Sequence, residues 1–350
     1  MNHAREEWIG IDQKIALLRD PDSYPERTSD VSVIETHKSW VFLADHHAYK
    51  LKKPIQHNSV DFRSLEARCS NCEIEVALNR RLAGDVYIGV EQIRQGEQGQ
   101  LTLGGIGELV DCVVKMKRLP ADRMLSRLIA DGNVQEYEVR RLAAKLARFY
   151  RDSPSVLTNP AEYTDHLTDE LQTSFAALES PGLGLDVTRV SRIRDHLERF
   201  LEDRGELLAD RVNTGRIVDG HGDLRAEHVC LLPDPVMFDC LEFDARLRVV
   251  DPVDELAFLS LECERLGDAS IGRILTSEYA AITADLVTHS LVSFYKVYRA
   301  CMWARLAAWR TAELDPERWG KWTERIESLL RLAEENLSGM VDENARGSGS

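Results

Sequence analysis

The chain predicts an α+β protein of two lobes, the first an antiparallel sheet with one inserted helix and the second mostly helical. Three observations carry this. Short runs of strand character separated by turn residues fill 31–120, one stretch of helical period interrupts them at 62–83, and helical periods dominate beyond Pro120 except at 215–250. Residues 1–30 read as a helical extension, 31–120 as the β-rich lobe, 121–340 as the helical lobe and 341–350 as a tail. That tail ends Ala345-Arg346-Gly347-Ser348-Gly349-Ser350, a composition that favours disorder.

The elements follow in order. Residues 8–20 place Ile11, Ile15 and Leu18 on one side of a short helix, which Pro21 and Pro25 end. Val31–Thr36, Trp40–Ala44 and Ala48–Lys52 are strand-like, with Asp45-His46-His47 as a turn. In the helix at 62–83, Leu65, Cys69, Cys72 and Val76 share a face, and Glu75, Leu78 and Leu82 share the adjacent one. Further strands are expected at 86–94, 100–104 and 108–116, the last running through Lys115 and Met116 into a connector that ends at Pro120. Helices are then expected at 122–131, 135–151, 160–179, 187–208, 252–266, 271–312 and 316–338. The stripe Leu291, Phe294, Tyr295, Tyr298 and Met302 has helical spacing and reads as core.

Composition narrows the function classes. With 43% apolar and 29% charged residues the chain suits an ordinary globular protein with a sizeable core. Lys and Arg number 44 against 59 acids, a net charge of −15 that argues against nucleic-acid binding. No run is long and apolar enough to span a bilayer, and the first residues lack the apolar core of a signal peptide, so a cytoplasmic location without membrane association is expected. Seven scattered cysteines, with no second pair to join Cys69 and Cys72 in a zinc site, read as reduced thiols.

The chemistry is concentrated in His221-Gly222-Asp223-Leu224-Arg225-Ala226-Glu227-His228 and in the apolar run Val236-Met237-Phe238-Asp239. A polar loop with a central Asp, followed by a short strand ending in Asp, suits phosphoryl transfer. One acid positions a hydroxyl and the other holds Mg²⁺ on a nucleotide's phosphates. His228 is dissonant, because that chemistry normally places an Asn there. Asp45-His46-His47 matches the tripeptide of a phosphoesterase class, but the remaining acidic motifs are missing and a turn explains it. No Gly-x-Ser-x-Gly elbow occurs.

On these residues the chain resembles the aminoglycoside phosphotransferase family, with its protein-kinase-like fold. The resemblance is closer still to an uncharacterised bacterial branch often fused to a P-loop ATPase domain. It is carried by Glu35–Leu43, Ala48-Tyr49-Lys50-Leu51-Lys52-Lys53-Pro54, Leu78-Asn79-Arg80-Arg81-Leu82, His221–His228 and Phe238-Asp239-Cys240-Leu241-Glu242-Phe243. No Gly-x-x-x-x-Gly-Lys-Ser/Thr occurs, so the fused domain is expected to be missing.

The resemblance implies an ATP-dependent kinase acting on a small-molecule hydroxyl, with Mg²⁺ and possible use of Mn²⁺. Asp223 orients or deprotonates the acceptor, Arg225 neutralises the transferring group, and Asp239 holds metal. His228 is a metal ligand, a hydrogen-bond partner of a carboxylate, or the mark of a site that binds nucleotide without turnover. One lysine of the third strand, Lys50 by preference and Lys52 as rival, bridges the phosphates and a helix carboxylate, Glu75 or else Glu73. Thr36 and its turn cover the phosphates, and the connector around Met116 and Arg118 meets the adenine edge. Asp254 accepts the amides of the catalytic loop, and Glu242 supports the metal shell or faces the substrate. The acceptor is open among aminoglycosides, sugars, amino alcohols and nucleosides.

Overall fold

A computed structural model describes residues 10–57 and 60–340 of the protein, so the expected tail at 341–350 lies outside the described residues. The chain divides into two compact units. The first runs to Ala121 and includes Val236–Ala245; the second holds Asp122–Pro235 and the chain from Arg246 onward. Val236–Ala245 therefore leaves the helical lobe in which the sequence reading placed it, for reasons that lie in the bonds of Asp239, Cys240 and Glu242.

The first unit is built on a six-stranded antiparallel sheet. Its strands are β1 (Ser32–Glu35), β2 (Ser39–Leu43) and β3 (His47–Lys52), then β6 (Tyr87–Gln95), β7 (Leu101–Leu103) and β8 (Glu108–Lys117). The spatial order β1-β2-β3-β8-β6-β7 puts β3 in the interior, between β2 and β8, with Val41 and Val114 opposite Lys50. A hairpin of β4 (Gln56–His57) and β5 (Val60–Asp61), not anticipated from the sequence, follows β3.

Alternation along β3 fixes its two faces. Tyr49 and Leu51 join a buried cluster with Leu18, Tyr24, Phe42, Ile93 and Val113, covered by α1 (Ile11–Arg19). Lys50 and Lys52 point to the other face, where α2 (Leu65–Ala83) lies. The hydroxyl of Ser64 caps α2 by accepting the amide of Ala67 at 3.1 Å. Both helices are tied to β8 through the buried carboxylate of Asp111, which takes Lys14 of α1 at 2.7 Å and Arg68 of α2 at 2.9 Å.

A disulfide joins Cys69 of α2 to Cys112 of β8, contrary to the expectation that all thiols are free. The packing of α2 on β8 brings the two Cα atoms to 5.1 Å, within bridging range. Cys72, Cys230, Cys240, Cys263 and Cys301 are buried free thiols. Burial pushes the Cys72 thiol up to about 12.

The second unit is helical: α3 (Leu125–Ala130), α4 (Glu136–Asp152), α5 (Pro160–Leu178), α6 (Val187–Asp203), α7 (Gly205–Asn213), α8 (Pro252–Arg265), α9 (Ser270–Thr283), α10 (His289–Ala312) and α11 (Gly320–Leu337). Helix α10 packs against α5, α8 and α11. The expected core stripe is buried there at Leu291, Phe294, Tyr295 and Tyr298, and Phe200 of α6 stacks on Phe294 with ring centroids 4.3 Å apart.

Two expected long helices are each broken in two. The stretch 187–208 divides at Arg204, which leaves helical geometry at φ −116° and ψ 20° before Gly205 restarts the chain as α7. The stretch 271–312 divides after α9, where Ala284 takes a left-handed backbone at φ 52° and Thr288 caps α10. Between them Asp285 is drawn into the core by Arg211, which bonds it at 2.8 Å and also bonds Asp251 at 2.7 Å. Apolar periodicity runs on across both breaks, which is why it did not reveal them. Among the described residues no helix is long and apolar enough to cross a membrane.

Candidate functional site

In the first unit, one fully buried carboxylate organises both lysines of β3. Glu75 of α2 accepts Lys50 at 2.8 Å on one oxygen and Lys52 on the other. Each lysine has a second acid, Asp239 at 2.6 Å for Lys50 and Glu242 at 2.5 Å for Lys52. Charge therefore alternates along a chain of five groups, Asp239–Lys50–Glu75–Lys52–Glu242. Burial alone would push both ammonium groups down; Asp239 and Glu75 around Lys50, and Glu75 and Glu242 around Lys52, more than offset it and raise both. Burial would push the Glu242 carboxyl up, but Lys52 and Lys50 hold it below its ordinary value.

The two lysines differ in access. Lys52 is 1% exposed and enclosed by acids, whereas the Asp239 partner of Lys50 is 41% exposed. Asp239 also departs from ordinary backbone geometry at φ 61°, a left-handed conformation that Asp tolerates better than most residues. Its position is fixed by neighbours: its amide donates to the Tyr87 hydroxyl at 3.2 Å, and the next amide, of Cys240, donates to Asn79 Oδ1 at 2.8 Å. Glu73, the alternative partner for the lysines, is not among their contacts; it is exposed.

The remaining predicted residues of this unit are placed less centrally. Thr36 is exposed in the β1–β2 turn, where its amide and hydroxyl donate to the Ser39 carbonyl at 2.8 and 2.9 Å. Strand β8 runs to Lys117, so Lys115 and Met116, expected to belong to a connector from Lys115 to Leu119, are strand residues, and Met116 is buried opposite Ala48 and Tyr87. Only 118–120 remain as connector, and there the Arg118 amide donates to His46 O at 2.9 Å. That amide is committed to the chain itself and is not available to an adenine edge.

In the second unit, the loop His221–His228 is held from beneath. Residues Val218–Asp219 pair with Val249–Val250, and the Gly220 amide donates to Arg248 O at 2.7 Å. A Cβ on Gly220 would lie 2.5 Å from a Glu255 oxygen and 2.6 Å from Val250, so the approach requires glycine. Gly222 turns with φ 85°. The two following amides are received by Glu255 of α8: His221 donates at 3.0 Å, Gly222 at 2.5 Å, and the Tyr150 hydroxyl adds a third bond at 2.8 Å.

This corrects the expectation for Asp254, which forms a buried ion pair with Arg299 of α10 at 2.5 Å. The two acids are adjacent on α8, and one residue of helix rotates a side chain by roughly 100°. The sequence points to Asp254 for this role, but the acid turned toward the loop is Glu255, one residue further along α8.

Asp223 is paired with Arg225 Nε at 2.9 Å, and Arg225 also reaches Glu227 at 2.5 Å and lies 4.4 Å from the Trp303 ring centroid. Burial pushes the Arg225 guanidinium down, but Asp223 and Glu227 more than offset it. His228 is buried, with Nδ1 2.9 Å from the carbonyl of Asp223 and Nε2 3.2 Å from Arg225 Nη2. A carbonyl accepts and a guanidinium donates, so the geometry fits the Nδ1–H tautomer.

A hard ion such as Mg²⁺ selects oxygen, and the half-exposed Asp239 carboxylate fits that requirement. His228 does not, since it offers nitrogen and spends both ring atoms on protein partners. Among the described residues no three or more His, Cys, Asp or Glu side chains are arranged to hold a metal.

No family model matches the chain. An uncharacterized protein of Mycobacterium tuberculosis (strain ATCC 25618 / H37Rv) is 32% identical over 296 residues, or 82% of this chain. An uncharacterized protein of Mycobacterium bovis is equally similar. The chain spans about half the length of these curated relatives, 56%. Among solved structures, the GDP complex of wild-type aminoglycoside 2'-phosphotransferase-IIIa aligns with TM-score 0.52 at 15% identity, covering 94% of this chain and all of that one, 100%. A choline/ethanolamine kinase family protein from Mesorhizobium loti gives 0.56 at 13% identity, covering 94% and 99%. Choline kinase LicA from Streptococcus pneumoniae gives 0.53 at 15%, covering 93% and 98%.

Proposed function

The chain has the protein-kinase-like fold of aminoglycoside phosphotransferases and choline kinases, and from that premise we propose that it is an ATP-dependent phosphotransferase that moves the γ-phosphate to a hydroxyl of a small molecule. The observation that carries this reading is Lys50, a strand lysine shared between the buried Glu75 and the accessible Asp239. Glu75 orients the ammonium, and an arriving phosphate competes with Asp239 for it. Asp239, so released, is the residue to hold Mg²⁺, an ion that when bound neutralises phosphate charge. Lys52 serves as a structural counter-ion to Glu75 and Glu242.

On the acceptor side, Asp223 orients the attacking hydroxyl and accepts its proton, while Arg225 sets the carboxylate's direction. His228 supports the loop through the Asp223 carbonyl. The turn at Thr36 covers the phosphates in place of a glycine-rich loop, its Thr36 amide and hydroxyl fixing the turn through the Ser39 carbonyl.

Asp223→Asn tests the reading. ATP binding by thermal shift should stay within about two-fold, and transfer over a panel of hydroxyl acceptors should fall by roughly 10²–10⁴. Normal turnover by this variant would refute the assignment. His228, standing where this chemistry uses an oxygen donor, favours a second reading as a nucleotide-binding module. A shift with ATP and Mg²⁺ or Mn²⁺, but no ATP consumption on any acceptor, would select it.

A further inference from the structure

Among the described residues of the second unit, one half-buried guanidinium touches no carboxylate. Arg325 of α11 is half-buried, yet has no hydrogen bond and no carboxylate within 4 Å among the described residues; it lies 5.4 Å from the ring centroid of Trp303 on α10. The acids in its neighbourhood are already taken. Glu262 holds Arg265 through both oxygens at 2.9 Å, and Glu227 holds Arg225 at 2.5 Å. Burial pushes the Arg325 guanidinium down, and Arg265 and Arg225 push it further, against Glu262 and Glu227. A half-desolvated cation without a carboxylate in contact costs stability, and its contact with Trp303 is the one visible gain from keeping it.

Its place is informative. Arg225 and Arg325 both approach the indole of Trp303, which also stacks on Phe258, and their distances of 4.4 and 5.4 Å from its centroid put the guanidinium carbons no more than about 10 Å apart. Arg225 is itself ion-paired with Asp223. A molecule offering a hydroxyl to Asp223 therefore has near it a planar cation in contact with no carboxylate, in a cluster where Arg225, Arg265 and Arg325 balance Asp223, Glu227 and Glu262. Arginine's fork matches a carboxylate or a phosphate, not an ammonium.

We infer that Arg325 and Trp303 form a subsite for an anionic group of the acceptor, so that the acceptor is a hydroxylated carboxylate or phosphate ester and not a cationic amino alcohol or aminoglycoside. The claim about the acceptor rests on the phosphotransferase reading; the anion site stands apart from it.

Calorimetric titration of the full chain with glycerate, glycerol 3-phosphate, choline and kanamycin tests this, with an ATP titration alongside. Glycerate or glycerol 3-phosphate, whichever fits, is expected to bind, with affinity falling as salt rises. Arg325→Gln should weaken that binding at least ten-fold without changing ATP affinity, and Arg325→Lys should recover only part of it. The melting temperature of Arg325→Leu should stay close to that of the parent, since the replaced cation gives up its contact with Trp303 but no hydrogen bond and no carboxylate contact. Anion binding equal in parent and Arg325→Gln, binding of the cations alone, or binding of none of the four overturns the inference. Anion binding with no ATP binding would leave the subsite standing and refute the phosphotransferase reading instead.

Discussion

Glu255 receives the backbone amide of His221 at 3.0 Å, and with it the conformation of the loop that carries Asp223. Its carboxylate has two oxygens facing three donors, and the neighbouring Asp254 spends its own two on Arg299. Adjacent acids on one helix thus hold different things: one a loop, the other a helix.

That division predicts separable phenotypes. Glu255→Gln turns an amide donor toward at least one backbone donor, so phosphoryl transfer should fall by at least about ten-fold while ATP binding persists. Asp254→Asn leaves Arg299 buried without its anion and should cost about 3–5 kcal/mol in urea unfolding. Equal effects of the two variants on transfer and stability would contradict the assignment.

The two strand lysines should also separate. Lys52→Met leaves Glu75 and Glu242 short of a buried counter-ion, a loss of about 3–5 kcal/mol of unfolding free energy. Lys50→Met removes the group offered to phosphate, and should reduce kcat/KM for ATP by roughly 10²-fold or more with a smaller loss of stability, because Asp239 can turn to water. Kinetics and chemical denaturation of the pair decide it; the reverse pattern would exchange the two roles.

Glu242 gives the acid dependence of stability a sign. Its folded carboxyl is held below the ordinary 4.5, so its contribution is present above that pH and lost as pH falls through the folded value. Asp254 and Glu255 act oppositely. Burial raises them above 3.8 and 4.5, so their contribution is present below those values and lost as pH rises through the folded ones. Glu242→Gln should therefore melt lower than the parent near neutrality, and the difference should shrink as pH falls below the ordinary carboxyl value. Melting curves that stay parallel across that range would show that Lys52 does not hold this carboxyl down.

Much of the first unit was legible because strand alternation is a local signal. The spacing of Lys50 and Lys52 put both on one face, and helical period put Glu75 on the inward side of α2. Three things were not legible. Asp111 joins Lys14 and Arg68 across long separations, and nothing in the sequence near Asp111 marks it as buried. Cys112 was unpaired on paper because its partner lies on another element. Asp285 interrupts an apolar period for the sake of Arg211, a partner far back in the chain. In the loop, the types of residue were readable, but which acid of the Asp254–Glu255 pair served it depended on a rotation that only packing fixes.

The return of Val236–Ala245 to the first unit has a consequence for how the protein is made. Lys50, Lys52 and Glu75 leave the ribosome long before Asp239 and Glu242, separated by all of Asp122–Pro235. At roughly 5–20 residues per second, the nascent sheet waits on the order of ten seconds with two lysines sharing a single acid. During that interval the cluster has an excess cation, where the complete one has an excess acid, and the amide acceptor of Asn79 has no Cys240 to meet. The N-terminal half can then collapse early but reach its final packing only once Val236–Ala245 has been synthesised.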